Sequence, residues 1–279
     1  MKNIYQTFKG EDLMKLARVS VTRVIASALL CLGPVACAAP AEHLQLHDNF
    51  EADRGWGFFE EIVGGSACYG AGIGQVAPST DVARFGARSL LVWANASGSL
   101  RSNHLIANHR LNTTGLSGKV RLQTYAYIDP ASALTSQTGP EFSMQNTREV
   151  GPGVFRTTTA GIQYIANPYV PRDWQIWVEQ SPGVAGWVRF HTQALTPGVW
   201  YSFVLVADFD ANRYVELLID GPDVTEAFDL SAYTIAQEAK FNEAAFWITL
   251  EGENLWNNCG TAGAFSSKIY YDRVVVKAK

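Results

Sequence analysis

The sequence predicts an all-β protein built as a sandwich of two antiparallel sheets. Apolar and polar residues alternate in runs of strand length, whereas a helix would need a period of 3.6 residues. Four such runs fill residues 174–221, and turn residues such as Ser181-Pro182-Gly183 and Thr196-Pro197-Gly198 separate them. Proline and glycine supply the preset or left-handed backbone angles that reverse a chain. This stretch is therefore an antiparallel meander.

Runs of the same kind extend over the rest of the chain. We predict strands at residues 89–93, 119–128, 141–145, 161–167, 173–180, 186–193, 199–207, 213–220, 245–251 and 268–276. The strands at residues 199–207 and 213–220 are expected to belong to the second sheet, opposite the strands that precede them. Val215 is expected to face inward. Residues 236–241 hold a short predicted helix. The last strand is expected to close a sheet beside the amino terminus of the mature chain.

Composition limits the classes of function. The chain has 279 residues, enough for one large all-β domain with a substantial core. Charged residues make up 17% and the net charge is -4, so the chain lacks the basic surface that nucleic acid requires. Aromatic residues reach 12%, which suits both broad sheets and stacking on sugar rings. We expect a monomer.

The amino terminus predicts an export signal. Arg18 and Arg23 precede an apolar run at residues 24–32, and small residues follow up to Ala38. We expect cleavage after Ala38, which makes residues 1–38 the signal peptide and 39–279 a single domain that is secreted to the periplasm or outside the cell. The apolar run is too short to span a bilayer, so no membrane span is expected. A second normal signal start at Met14 leaves residues 1–13 open as a misassigned extension.

Two cysteines remain after this cleavage, Cys68 and Cys259. In an exported protein two cysteines most simply form one disulfide. We therefore predict a bridge between Cys68 and Cys259.

The outward positions of the predicted strands carry an unusual mixture of side chains. Where a solvent face would hold Lys, Thr, Ser and Glu, these positions are rich in Gln, Tyr, Trp, Glu, Arg and His. Aromatic planes can cover the C–H faces of sugar rings, and amides and charged groups can bond hydroxyls. The predicted ligand-binding residues are Tyr125, Tyr127, Gln145, Gln163, Gln175, Trp177, Trp187, Arg189, Trp247 and Glu251. The alternative is that loops cover this face and bury the aromatics as a second small core.

Candidate catalytic residues lie among the same outward positions. Glu141, Glu179 and Glu251 project from strands, and two carboxylates suffice for glycoside hydrolysis. A polysaccharide lyase would need a base, an acid and a cation that neutralises a uronate. His191, Tyr125 and Arg189 have the required chemistry. If the protein is an enzyme, the predicted catalytic set is Glu141, Glu179, His191, Arg189 and Tyr125.

Two stretches carry a resemblance to a known family. Pro197-Gly198-Val199-Trp200-Tyr201-Ser202-Phe203 and the strand 212–221 ending in Asp220-Gly221 resemble the concanavalin A-like lectin and glucanase superfamily, whose fold is a jelly-roll β-sandwich. The resemblance covers about residues 45–279. It implies a carbohydrate-related function only loosely, because lectins, hydrolases, lyases and adhesion modules share the fold. The Glu-x-Asp-x-Glu strand of its glucanases is not in this sequence, and none of the strands predicted above carries the Gln-x-His pattern of sandwich-fold alginate lyases.

The resemblance also implies a structural calcium near the paired terminal strands. Asp272 would be its ligand, together with groups of the segment Asp48-Asn49-Phe50-Glu51, of which Glu51 is the predicted second ligand. No cofactor is required by any of the functions considered.

Three hypotheses follow. The leading one is an exported protein that binds a polysaccharide or oligosaccharide along one curved sheet. The second is a polysaccharide lyase or glycoside hydrolase that uses the same face. The third is a structural or adhesion module with no small ligand.

Overall fold

The computed structural model describes residues 42–52, 55–61, 73–96, 103–111, 113, 115–132, 138–165, 173–254 and 265–279. They form two eight-stranded sheets, which we call sheet A and sheet B. The strands of sheet A are β1 (His43–Asp48), β3 (Ile73–Ser79), β4 (Ser89–Ala96), β6 (Lys119–Ile128), β11 (Trp200–Asp208), β12 (Arg213–Asp220), β13 (Thr225–Asp229) and β16 (Phe265–Ala278). The strands of sheet B are β2 (Gly57–Glu61), β5 (Asn103–Leu111), β7 (Thr138–Gly151), β8 (Val154–Ile165), β9 (Asp173–Ser181), β10 (Val184–His191), β14 (Ala236–Glu238) and β15 (Ala245–Asn254).

Strand order explains how distant parts of the chain meet. Sheet A runs β13-β12-β11-β6-β16-β4-β3 with β1 beside β16, and sheet B runs β10-β9-β8-β7-β15-β5-β2 with β14 beside β8. The pairings are antiparallel, and several sequence neighbours, such as β6 and β7, lie in opposite sheets. The predicted fold class, an all-β sandwich of two antiparallel sheets, is confirmed.

The core between the sheets is centred on aromatic side chains from both. Phe142 of sheet B packs on Phe203 of sheet A with ring centroids 5.4 Å apart, and Trp174 lies 5.6 Å from the same ring. All three side chains are fully buried. Their burial removes large apolar surfaces from water, which is the main force that holds the two sheets together.

Two tyrosine hydroxyls cross this apolar core and bond the backbone of sheet B. The Tyr271 hydroxyl, from β16, donates to the Glu251 carbonyl at 2.6 Å and accepts from the Glu141 N–H at 3.0 Å. The Tyr214 hydroxyl, from β12, donates to the Trp177 carbonyl at 2.6 Å and accepts from the Gly161 N–H at 2.9 Å. Each hydroxyl thereby links the two sheets at a fixed point.

A bulge brings Tyr214 into the core. Val206 pairs with Glu216 and Ala207 pairs with Tyr214, so Val215 is the extra residue. The prediction that Val215 faces inward is wrong, because the bulge shifts the alternation by one residue and Tyr214 takes the inward place.

The predicted helix at residues 236–241 is also wrong. Ala236–Glu238 forms β14, whose residues pair with Thr159, Thr158 and Thr157 of β8. Backbone pairing to an exposed strand edge wins over local helix propensity here, and Ala236 is fully buried as a result.

The two ends of the sandwich agree with expectation where the structure describes them. β1 pairs with β16, as predicted for the last strand. Cys68 and Cys259 lie outside the described residues, as does the proposed signal peptide, so the disulfide and the cleavage remain predictions. Among the described residues, no helix has the length and apolar character needed to cross a membrane.

The Tyr271 hydroxyl gives a test of the inter-sheet links. We expect Tyr271→Phe to lower the free energy of unfolding by about 1 to 3 kcal/mol, because it leaves a buried N–H and a buried carbonyl without this partner. Urea unfolding followed by fluorescence measures the change. Tyr127→Phe is the matched control, since that side chain lies on the partly exposed outer face of sheet A, and we expect it to stay within about 0.5 kcal/mol. Equal stability of the two variants would contradict the link.

Candidate functional site

Most of the predicted site residues lie on the outer face of sheet B, which points away from the core. These residues are Glu141, Gln145, Gln163, Gln175, Trp177, Glu179, Trp187, Arg189, Trp247 and Glu251. One row of cross-strand partners runs from Glu251 through Glu141, Gln163 and Gln175 to Arg189. At about 4.8 Å between neighbouring strands, the row is roughly 19 Å long. The sheet thus places a continuous line of polar side chains across five strands.

The two predicted tyrosines do not belong to this face. Tyr125 and Tyr127 lie on β6, which pairs with β11 and β16 in sheet A. Arg84 stacks over the Tyr125 ring at 4.7 Å, and Tyr127 packs on Trp200 at 5.4 Å. The expectation that Tyr125 or Tyr127 shares a site with Glu141 is therefore wrong. Alternation tells which side of a strand faces outward, but it does not tell which sheet the strand joins.

His191 is also placed differently from the prediction. Arg189 pairs with Gln175 while His191 pairs with Trp174, which makes Phe190 the extra residue of a bulge. His191 therefore contacts the Phe228 ring at 4.7 Å and Glu226 at 3.4 Å on the edge strand of sheet A. The one-residue bulge turns His191 away from Glu141, and His191 is not part of a site with it.

Two other predicted residues on this face have local partners. Glu179 accepts the Gly183 N–H at 3.1 Å and so closes the turn between β9 and β10. It lies four residues beyond Gln175, about 13 Å along the strand. Arg189 forms a salt bridge through its Nε to Asp173, whose side chain is only 1% exposed. Neither residue is brought beside Glu141.

The structure instead brings His104 to the two other predicted glutamates. His104 of β5, Glu141 of β7 and Glu251 of β15 each offer a side-chain ligand atom within 4.8 Å of the other two, and we call this group the His-Glu-Glu cluster. Glu141 and Glu251 are direct cross-strand partners. The residues are 6%, 6% and 4% exposed, respectively. Sequence reasoning missed His104, because its strand was not among those predicted.

Hydrogen bonds hold Glu251 within the cluster. Its Oε2 lies 2.6 Å from His104 Nε2, and its Oε1 accepts from the Thr249 hydroxyl. Burial opposes ionisation of Glu251, but the hydrogen bond and charge of His104, with the bond from Thr249, outweigh it and lower the pKa of Glu251. Glu251 is therefore a carboxylate at neutral pH, paired with His104.

The contact of His104 with Glu251 is too short for two ligands of one metal ion. Ligands on one zinc ion stand about 3.3 Å apart when each is about 2.0 to 2.1 Å from the metal. The 2.6 Å between His104 Nε2 and Glu251 Oε2 is a hydrogen-bond distance. These two side chains would have to move apart to share an ion.

Tryptophans lie on the same face of sheet B as the polar row. Trp177 and Trp187 form an edge-to-face pair 5.1 Å apart, both partly exposed, and the Trp177 indole N–H points to Glu238 at 3.4 Å. Trp247 lies four residues from Glu251 along β15, about 13 Å from the row, and stacks with Phe241 at 5.7 Å. The outer face of sheet B thus offers aromatic planes beside a polar row.

Some polar atoms of this face are buried without a protein hydrogen bond. Within the described part of the chain, Gln163 Oε1 and Asp173 Oδ1 have no such partner. Gln163 is 4% exposed and is the cross-strand neighbour of Glu141. A buried acceptor left unpaired is costly, so this position suits a ligand hydroxyl or a water.

The predicted calcium ligands form a separate group at the other sheet. Asp272 Oδ2 accepts the N–H groups of Arg84 and Phe85 at 2.8 Å each, and Glu51 Oε1 accepts those of Ala87 and Arg88 at 2.6 and 2.9 Å. Asp272 Oδ1 is buried and has no hydrogen-bond partner among the described residues. Burial, with a smaller contribution from the charge of Glu51, raises the pKa of Asp272. A cation bound at Asp272 Oδ1 and near Glu51 would relieve both effects, and further oxygens would have to complete the six to eight that calcium takes.

No family model matches the chain, and no curated protein matches it. Solved structures do, at low similarity. A conserved carbohydrate esterase from the Shiga toxin-encoding bacteriophage phi24B is 14% identical, with 86% of this chain and 100% of that chain covered and a TM-score of 0.47. The cellulose induced protein Cip1 is 16% identical, with coverages of 83% and 96% and a TM-score of 0.45. The alginate lyase Aly36B is 12% identical, with coverages of 69% and 81% and a TM-score of 0.43.

These comparisons concern the fold. Mutants of the alginate lyase are known in complex with alginate oligosaccharides. At this level of similarity no residue role is carried over to this chain.

The pair of His104 and Glu251 predicts a pH dependence of stability. Folding lowers the pKa of Glu251. The stabilisation that its ionised carboxylate contributes is therefore present above the unfolded-state pKa of 4.5 and is lost as the pH falls below that pKa. We expect Glu251→Gln to lower the free energy of unfolding at pH 7 by about 1 to 3 kcal/mol. The difference from the wild type should narrow as the pH falls below that value.

Urea unfolding between pH 7 and pH 3 measures this difference. Glu216→Gln is the matched control, because Glu216 is exposed on sheet A, and it should show little difference at any pH. A Glu251→Gln deficit that stays constant over the whole range would contradict the ionised pair.

Proposed function

We propose that this protein binds a polysaccharide along the outer face of sheet B. The observation that carries the proposal is the row from Glu251 to Arg189, a line of polar side chains across five strands with Trp177 and Trp187 beside its Arg189 end. A sugar chain presents hydroxyls at its edges and C–H groups on its ring faces, and this surface has partners for both.

The exposed part of the face lies at β9 and β10. Gln175, Trp177 and Trp187 are partly exposed there, while Gln163 and Glu141 are buried further along the row. The partly exposed indoles are suited to stack on sugar rings. The amide of Gln163, whose oxygen has no hydrogen-bond partner among the described residues, is suited to accept a bond from a sugar hydroxyl.

The charges of the face favour a neutral polysaccharide. His104 pairs with Glu251, Arg189 with Asp173 and Arg110 with Glu243. The face also carries the carboxylates Glu141 and Glu238. Each of these cations already faces a carboxylate, and a uronate chain would lie beside this negative charge, which costs free energy. We therefore propose a neutral glycan rather than a uronate, and an exported protein that meets it outside the cytoplasm.

Binding assays on the protein expressed from its full chain test this proposal. Affinity electrophoresis in gels that contain β-glucan, mannan, xylan, alginate or polygalacturonate should show retention by a neutral polysaccharide and not by the uronates. We expect Trp187→Ala to weaken that binding about tenfold or more, since an aromatic side chain that anchors a ligand contributes about 1.4 kcal/mol or more. Calorimetry with soluble oligosaccharides gives the affinity.

Trp200→Ala is the matched control for this experiment. Trp200 is a partly exposed tryptophan on sheet A, where it packs on Tyr127, and its removal should leave binding unchanged. Retention by uronates alone would contradict the choice of a neutral ligand. No retention in any gel would favour the structural module and overturn the binding proposal.

We also propose that calcium binds at Asp272 and Glu51 and stabilises the fold. Addition of Ca²⁺ should raise the melting temperature, and a hundredfold excess over the dissociation constant should contribute about 2.7 kcal/mol. Asp272→Asn should abolish this response. Asp220→Asn, an exposed position of sheet A, should keep it. A wild-type melting temperature that is the same in Ca²⁺ and in EDTA would contradict the proposal.

A further inference from the structure

We infer that the His-Glu-Glu cluster is a hydrolytic centre that cleaves a neutral polysaccharide with retention of anomeric configuration. This inference rests on the proposed function, because it places the reaction on the same outer face of sheet B. It adds a reaction, a stereochemical outcome and a role for each of the three side chains.

The geometry of the two carboxylates carries the inference. Glu141 and Glu251 face each other across neighbouring strands, and an oxygen of one lies within 4.8 Å of an oxygen of the other. Retaining glycosidases place their two carboxyl groups about 5 to 5.5 Å apart, while inverting enzymes need about 6.5 to 9.5 Å to admit a water between them. A separation of this size corresponds to the shorter of the two spacings, which favours the retaining reaction.

Glu251 has the environment of the nucleophile. Its two oxygens accept bonds from Thr249 and lie against His104, so the carboxylate is ionised and fixed in orientation. In the first step Glu251 attacks the anomeric carbon, the glycosidic C–O bond breaks, and Glu141 gives its proton to the departing oxygen. In the second step Glu141 takes a proton from water, the resulting hydroxide displaces Glu251, and the sugar leaves with a new hydroxyl.

His104 and Tyr271 act as positioning residues. His104 holds Glu251 through the 2.6 Å contact. Tyr271 bonds the backbone of Glu141 and Glu251 from the core side, so the two strands cannot slide relative to each other at this point. These contacts keep the carboxylates at the spacing that the reaction requires.

A second observation, independent of the cluster, indicates a ligand beside it. The side chain of Gln163 is nine-tenths buried, lies next to Glu141 in the row, and has an oxygen without a hydrogen-bond partner among the described residues. A substrate hydroxyl on the sugar bound at Glu141 would satisfy this oxygen. The row therefore provides a polar contact next to the reacting groups.

The same face argues against an eliminative reaction. A lyase needs a cation that neutralises the uronate carboxylate before the C5 proton is removed. Arg189, the predicted neutraliser, is held by Asp173, and His104 is held by Glu251. Among the described residues, these two cations are thus already paired, and the cluster presents the two carboxyl groups that a hydrolase uses.

Incubation of the full-length protein with the polysaccharide that it binds tests the inference. Reducing ends and absorbance at 235 nm are followed together, and proton NMR identifies the anomer that forms first. We expect new reducing ends, no unsaturated product, and the anomer of the substrate. Glu141→Gln should lower the rate about 10²- to 10⁴-fold while binding is kept.

Further variants separate chemistry from folding. Glu251→Ala should be inactive alone and should regain cleavage in azide, which replaces the nucleophile and yields a glycosyl azide; a purely structural role would not be rescued in this way. His104→Gln should shift the pH profile of cleavage. Glu216→Gln, an exposed carboxylate of sheet A, is the control and should cleave at the wild-type rate.

The outcomes are distinguishable. Binding without any product from the bound polysaccharide would overturn the hydrolytic inference and leave the proposed function intact. Absence of both binding and product would overturn both. Unsaturated products, inversion of the anomer, or full activity in folded Glu141→Gln would each overturn the assignment of Glu141 and Glu251.

Discussion

The link that the site depends on is the hydroxyl of Tyr271. An apolar core holds two sheets together, but it does not by itself fix how one strand is aligned with the next. Tyr271 reaches from β16 to the backbone of β7 and β15 at the residues Glu141 and Glu251. Because β7 changes register just before Glu141, backbone groups there need a partner from outside the ladder. The alignment of the two carboxylates thus depends on a side chain of the other sheet.

The two-residue period of the sequence predicted the fold and much of one face. It identified the outward positions of β7, β8 and β9, so Glu141, Gln163 and Gln175 were expected on the surface where the structure has them. The period fails where a bulge inserts one residue. Such an insertion turns the His191 side chain of sheet B toward the edge strand of sheet A, and another turns Tyr214 into the core. A bulge is set by the partner strand, which a single run of residues does not reveal.

Contacts between distant strands could not be predicted in the same way. Sheet membership separates Tyr125 from Glu141, and the register of β5 against β15 brings His104 to Glu251. Both depend on which strands pair, and the alternation in β6 or β5 is the same for any partner. The salt bridge of Arg189 with Asp173 joins residues sixteen positions apart through a hairpin that was predicted. Even there, the alternation of inward and outward side chains did not show that the side chains of Arg189 and Asp173 meet.

The position of β16 has a consequence for the order in which the molecule is made. This strand, Phe265–Ala278, pairs with β1, β4 and β6, and it supplies both Tyr271 and Asp272. It leaves the ribosome after the other strands that the structure describes. Sheet A can therefore close, and β7 and β15 can acquire their hydrogen bonds to Tyr271, only after the other described strands have been synthesised. Such non-local closure makes folding slow. A chain that stays open during synthesis is compatible with export before folding.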